Sequence, residues 1–353
     1  MTLPASGNSI SLNQVNVELG NTGTDAINMG SSDVRGLFGV SSGAIDMSDG
    51  YGKTFVTFFG SRGVFAGGEG TNVISYITIA SAGNAADFGD LTSARGHCDG
   101  LSNGSRGVFG GGGAGGPGVN VIEYITIAST GNATDFGNLT VGRQEPGTAS
   151  DGSRGVWAGG RVGGTFHNVM DYITIASTGN ANDFGNLSGT RGSMAGTSNG
   201  PRGVFAGSSY NNIVNVIDYI TIGSTGNATD FGNLTQATMD LSAASNVTRG
   251  VFAGGSTADS SSGDTNVISY ITIASAGNAT DFGDLTVSRQ ALGGTSDGSR
   301  GVFGGGYHSG GTDANVIDYI TISTAGNATD FGDITVAGNA TGKNAGVGAT
   351  SGT

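Results

Sequence analysis

One cysteine, Cys98, stands in 353 residues, so no disulfide can form within the chain. With three histidines and that single thiol, structural zinc and iron–sulfur clusters are excluded as well. Basic residues are scarce: 14 Lys and Arg face 27 Asp and Glu, a formal charge of −13. Binding to nucleic acid needs a basic face that displaces counterions from phosphates, so it is not expected. Proline occurs four times, and the glycines follow no G-x-y triplet, which rules out collagen. No apolar run is long enough to span a bilayer, and the N-terminus lacks a basic-then-apolar leader. The expectation is a chain not inserted in a membrane and not exported by a standard signal peptide. Helical periodicity is missing throughout the repeated part of the sequence.

What is abundant is glycine, with 70 residues, alongside 36% hydrophobic residues that include 16 Phe and 9 Tyr. That much apolar content is too high for a disordered chain, so the glycines must serve turns and close packing in a folded β protein.

The order of the chain is set by repetition. NVISYITIASAGNAADFGDLT at residues 72–92 returns as NVIEYITIASTGNATDFGNLT at 120–140, and again from Asn168, Asn215, Asn266 and Asn315. Each copy holds a tyrosine (Tyr76, Tyr124, Tyr172, Tyr219, Tyr270, Tyr319) followed twelve residues later by a phenylalanine. Upstream of each lies R-G-V-[FW]-[AG]-G, beginning at Arg62, Arg106, Arg154, Arg202, Arg249 and Arg300.

The last unit reads as four short strands: 290–296, 300–305, 316–322 and 329–335, separated by Gly, Asn, Ser and Asp turns. The third of these is apolar on both faces, as expected of a sheet packed between two others. Units of 47 to 51 residues with four strands each predict propeller blades. The first unit lacks a small-residue first strand of its own. The C-terminal stretch 345–351 matches 291–296 and is expected to supply that strand and latch the ring.

The order of elements resembles the kelch propellers: a small-residue inner strand, a strand ending in a glycine doublet, a Tyr-bearing strand, then a strand with an aromatic. The resemblance covers residues 54–353, with Phe where kelch repeats have Trp and the doublet reduced to Ala206-Gly207 in the fourth unit. The fold class expected is all-β, a six-bladed kelch-like β-propeller behind a small N-terminal domain at residues 1–53.

The N-terminal piece carries three short apolar–polar–apolar stretches, at residues 10–12, 27–29 and 45–47. ISLNQVNVELG and AIDMSDGYGK there resemble the N-terminal module of bacteriophage tail and fibre-associated structural proteins. The unit NVIEYITIASTGNATDFGNLT is similar to repeats in structural proteins of marine and cyanobacterial phages. That resemblance implies a virion component, freed by lysis, with residues 1–53 attaching to other tail or baseplate proteins. Fibre proteins in general suggest a homotrimer through this segment, and the oligomeric state is otherwise open.

No enzyme motif emerges. His97, His167 and His308 fall in different units, no metal-ligand spacing or nucleophile elbow occurs, and no pair of carboxylates stands out. The chain is therefore read as a non-enzyme without metal or cofactor. The Asp of each D-F-G is expected to bond turn backbone, and the repeated Arg to pair with an acid of the neighbouring blade.

Variation between units is more telling. Loops between second and third strands differ most, while the opposite turn, [ST]-[AT]-G-N-A, is nearly constant. Irregular loops on a rigid scaffold are where recognition concentrates. Arg161, His167, Tyr210, Asn211, Tyr307 and His308 are the candidate ligand-binding residues, for a host-surface glycan or protein. The rival expectation is an architectural decoration of the particle, and the third a glycan-cleaving enzyme, which would need two adjacent carboxylates.

Overall fold

In the computed structural model the described residues are 61–334, apart from 69, 114–115, 208–211, 259–262 and 309–311, together with the backbone of 345–348. The chain divides into two units, Met1–Thr57 with Gly352–Thr353, and Phe58–Ser351. All described residues lie in the second. The expectations for 1–53, and those for Tyr210 and Asn211, lie outside the described residues.

The second unit is a β-propeller of six four-stranded antiparallel blades. In the last blade the strands, from the axis outward, are Gly293–Ser296, Arg300–Gly304, Val316–Thr321 and Thr329–Asp333. Each observed strand is shorter than its sequence span, because the flanking residues turn. The first blade takes its innermost strand from the chain's far end: Ala345–Gly348 pairs antiparallel with Arg62–Ala66, in the register Gly63↔Gly348 to Ala66↔Ala345. The predicted latch is therefore present. Innermost strands of successive blades neighbour one another in a closed cycle.

The core lies between blades. Val and Phe of each R-G-V-[FW] strand and the isoleucines of each third strand are buried, and each Tyr meets its Phe edge to face, with centroids 5.8–6.0 Å apart. The repeated Arg covers the same Tyr, its guanidinium 4.2–4.8 Å from the ring centroid. It then donates to a backbone carbonyl of the next blade, as Arg106 does to Ile175 at 2.9 Å. An acid partner had been expected. A carbonyl suits the position better, because it is supplied by any sequence and repeats with the fold.

The constant turn is also an inter-blade device. In every interface its Gly N–H donates to the Phe carbonyl of the preceding blade's outer strand, as Gly131 does to Phe88 at 2.7 Å. The following Asn accepts from that strand, as Asn132 Oδ1 does from Asp90 N at 3.0 Å. The same bonds join blade six to blade one, through Gly83 to Phe331 and Asp333 to Asn84. Close approach demands glycine on the other side. A Cβ on Gly89, whose φ is +147°, would lie 2.5 Å from the Gly131 carbonyl group. The Asp of D-F-G (Asp87, for example) is not a turn residue but an exposed member of the outer strand. The aspartates that do bond turn backbone are Asp151 and Asp297, between first and second strands.

Four blades hold a buried ion pair that ties the incoming connection to the third strand: Arg95–Glu123, Arg143–Asp171, Arg191–Asp218 and Arg289–Asp318. Arg289 shows the full arrangement. It donates to Asp318 Oδ2 at 2.7 Å, to the Gly305 carbonyl at 3.0 Å and to the Phe303 carbonyl at 3.1 Å. Blade five has Thr238 and Ser269 at these positions, and a small cavity there is lined by Gln236, Thr238, Leu241, Phe252 and Ser269.

Candidate functional site at the axial end of the variable face

Among the described residues, the connection entering a blade reaches its innermost strand through one residue in the left-handed region. In blades two to six these are His97 (φ 57°), Glu145 (60°), Ser193 (50°), Asp240 (53°) and Ala291 (59°). Every other left-handed residue among those described is glycine. A side chain in this conformation costs on the order of 1 kcal/mol or more, and a chain so rich in glycine had the unstrained alternative to hand. Five blades keep a side chain instead, and all five are different.

Backbone bonds run from blade to blade through this set. Glu145 N donates to the His97 carbonyl, Asp240 N to that of Ser193 and Ala291 N to that of Asp240, each at 2.8 Å. The set thus forms an arc around the axis, at the end where the variable loops emerge.

Side chains of three blades meet at Glu145. Its Oε1 accepts from Arg161 Nε at 2.8 Å and lies 3.4 Å from His97 Nδ1, and its Oε2 accepts from Ser193 Oγ at 2.8 Å. The Glu145 side chain is fully buried, His97 is 16% exposed and Arg161 29%. Burial holds the Glu145 carboxyl above the usual carboxylate range, and the charge of Asp240 pushes the same way. His97, Arg161 and the Ser193 hydroxyl oppose them. Asp240, 95 residues further along the chain, acts on Glu145 through its charge, and sequence inspection did not find this coupling. Among the described residues, no three His, Cys, Asp or Glu side chains are grouped to hold a metal ion.

Arg161 stands out by elimination. Every other described arginine either covers a repeat Tyr or pairs with a buried third-strand acid. Arg161 opens a small hairpin, Arg161–Val162 paired with Thr165–Phe166. Backbone bonds with Gln144 fix its base, at 2.9 Å from Gln144 N and 2.8 Å from Arg161 N.

His167 follows this hairpin and is half-buried, its backbone bonded to Gly160 and Arg191. Tyr307 and His308 begin the corresponding hairpin of blade six, paired with Thr312–Asp313 and tied to Gln290 by reciprocal backbone bonds of 3.0 Å. Blades three and six are opposite in a ring of six, so the described candidates fall into two groups facing across the axis. His97, Glu145, Ser193 and Asp240 were not singled out. Their signal was available, as one column of the repeat alignment that changes residue in every blade.

The architecture defines a six-bladed β-propeller with one constant face and one variable face. No known protein-family model matches the sequence, and no curated protein matches it either.

Proposed function

We propose that this propeller is a recognition module whose ligand face is the variable one, centred on the axial arc, the hairpin at 161–166 and the strand pair formed by 307–308 and 312–313. One observation carries the reading: at five equivalent left-handed positions, where glycine would be strain-free, the chain holds His, Glu, Ser, Asp and Ala. A structural need would be met identically in each blade, as it is at the constant turn. Backbone bonds at Gln144–Arg161, Met239–Ser256 and Gln290–Tyr307 hold three of the variable loops in place before any ligand arrives, which lowers the ordering cost of binding.

Binding is favoured over catalysis, because Glu145 has no exposed surface to offer a substrate. The resemblance of the repeat and of residues 1–53 to phage structural proteins supports a place on a virion tail or fibre. There the first 53 residues attach to other particle proteins and the propeller meets a glycan or protein of the host surface.

The test is adsorption. Labelled full-length chain should bind host cells saturably and block adsorption of the parent particle, and Arg161→Ala should weaken both. No binding by a protein that is present on purified particles would leave an architectural role instead.

A further inference from the structure

Glu145 joins two parts of the variable face through its side chain, beside the backbone bonds that Gln144 makes to Arg161. One is the axial arc, through His97 and Ser193; the other is the blade-three hairpin, through Arg161. Backbone bonds also tie the hairpin to its surroundings, at its base to Gln144 and from Gly163 N to the Pro117 carbonyl at 3.3 Å. The charged and titratable groups facing Glu145 come from three elements: His97 from blade two, Arg161 from the hairpin and Asp240 from blade five. Blade four contributes the neutral Ser193 hydroxyl.

We propose that Glu145 is the positioning residue of this face: as a carboxylate it pins the Arg161–Phe166 hairpin to the axial arc, and on taking up a proton it releases it. The ionised form gives Arg161 Nε a charge-assisted acceptor and lies 3.4 Å from His97 Nδ1. The neutral form keeps a partner for Ser193 but loses its hold on the guanidinium. Burial above all, and then the negative charge of Asp240, make the Glu145 carboxylate harder to keep ionised, so release occurs at a higher pH than an ordinary glutamate would give. This deepens the recognition reading, and rests on it for one consequence: the hairpin that carries Arg161 is presented to a ligand in one arrangement at neutral pH and in a looser one in acid.

The experiment is amide hydrogen exchange of the full-length chain between pH 4 and 8, corrected for intrinsic rates. Residues 161–167 are compared with the third strand of the same blade, Val169–Thr174. In the wild-type chain, protection of 161–167 should fall about tenfold on acidification, the equivalent of one lost charge-assisted hydrogen bond, with a midpoint above the ordinary glutamate value of about 4.3. Glu145→Gln should abolish the step and leave the hairpin weakly protected at every pH. Asp240→Asn should move the midpoint down, and His97→Gln should move it up, because the imidazole favours the ionised form.

If Glu145→Gln fails to fold, the opposed shifts of the other two variants still decide the matter, since a merely structural glutamate would not pass their charges on to the hairpin. A wild-type profile flat across this range, or midpoints indifferent to Asp240 and His97, would overturn the assignment. Exchange is read without ligand. Its failure leaves cell binding untouched, and absence of cell binding leaves the exchange step standing.

Discussion

Asp171 lies in the third strand of blade three with no solvent exposure, and its only counter-charge among the described residues is Arg143, equally buried, 2.8 Å away. Two ions removed from water gain little over well-packed apolar residues, but one left alone is costly. Asp171→Asn should therefore destabilise the propeller by about 3–5 kcal/mol, read as a lower urea midpoint with an unchanged slope.

Blade five offers the reverse test. Thr238→Arg alone places a guanidinium in a small cavity with no carboxylate, and Ser269→Asp alone buries an acid with no partner; each should destabilise. The two together should recover, with a coupling of about 1–3 kcal/mol in a double-mutant cycle. This pairing was legible and went unread. Arg precedes the inner strand in repeats two, three, four and six, and those four alone have Asp or Glu ahead of the repeat Tyr, whereas Ser75 and Ser269 fill that place in the other two. Reading along one repeat hides such a relation, because it connects residues 27 to 29 apart and shows only when repeats are stacked.

Among elements, the outer strand and the constant turn form one joint repeated six times. The strands themselves were plain in the sequence, since their β-branched and aromatic runs stop at Gly, Asn and Asp. What the constant turn does was not, because its partners lie in the preceding blade, 40 to 50 residues earlier or, at the closure, across the whole ring. Gly283 shows how tight the joint is: with φ +146°, an added Cβ would stand 2.5 Å from the Gly326 carbonyl. Gly283→Ala should cost more than about 1 kcal/mol from backbone strain and crowding together. Asn180→Ala, which removes the acceptor for Asn138 N at 3.1 Å, should cost about 1 kcal/mol. Thermal unfolding of both variants checks these values, and an Ala variant as stable as the parent would mean the blades give way at this joint.

For the whole molecule, closure depends on four residues contributed from the far end of the chain, and this was inferred from sequence because the first repeat visibly lacked a strand. Cys98 reports on it. The thiol sits in the innermost strand of blade two, beside the closing strand, fully buried, and burial pushes its pKa up. It should resist alkylation in the native chain. A chain ending before Ala345 should expose it to reagent within minutes, with a marked drop in melting temperature. Continued protection after truncation would mean that five and three-quarter blades hold the ring without help. The axial arc, by contrast, was out of reach of any local reading. Glu145 meets His97 and Ser193 at a sequence separation of 48 residues each way, and the contact exists only once three successive blades have stacked.

The closing strand has a further consequence under tension. Gly63 and Gly348 are paired, so the chain enters its second strand and leaves its closing strand at the same end of the ladder. A pull applied at residues 62 and 348 loads the hydrogen bonds one after another, not all together, because ladder bonds stand perpendicular to antiparallel strands. The clasp peels. A molecule tethered by both ends would open at low force, whereas one held by its N-terminal side and drawn through its loops carries the load through covalent chain and packed blades. For a propeller closed in this way, suspension from a single end is the mechanically sound arrangement.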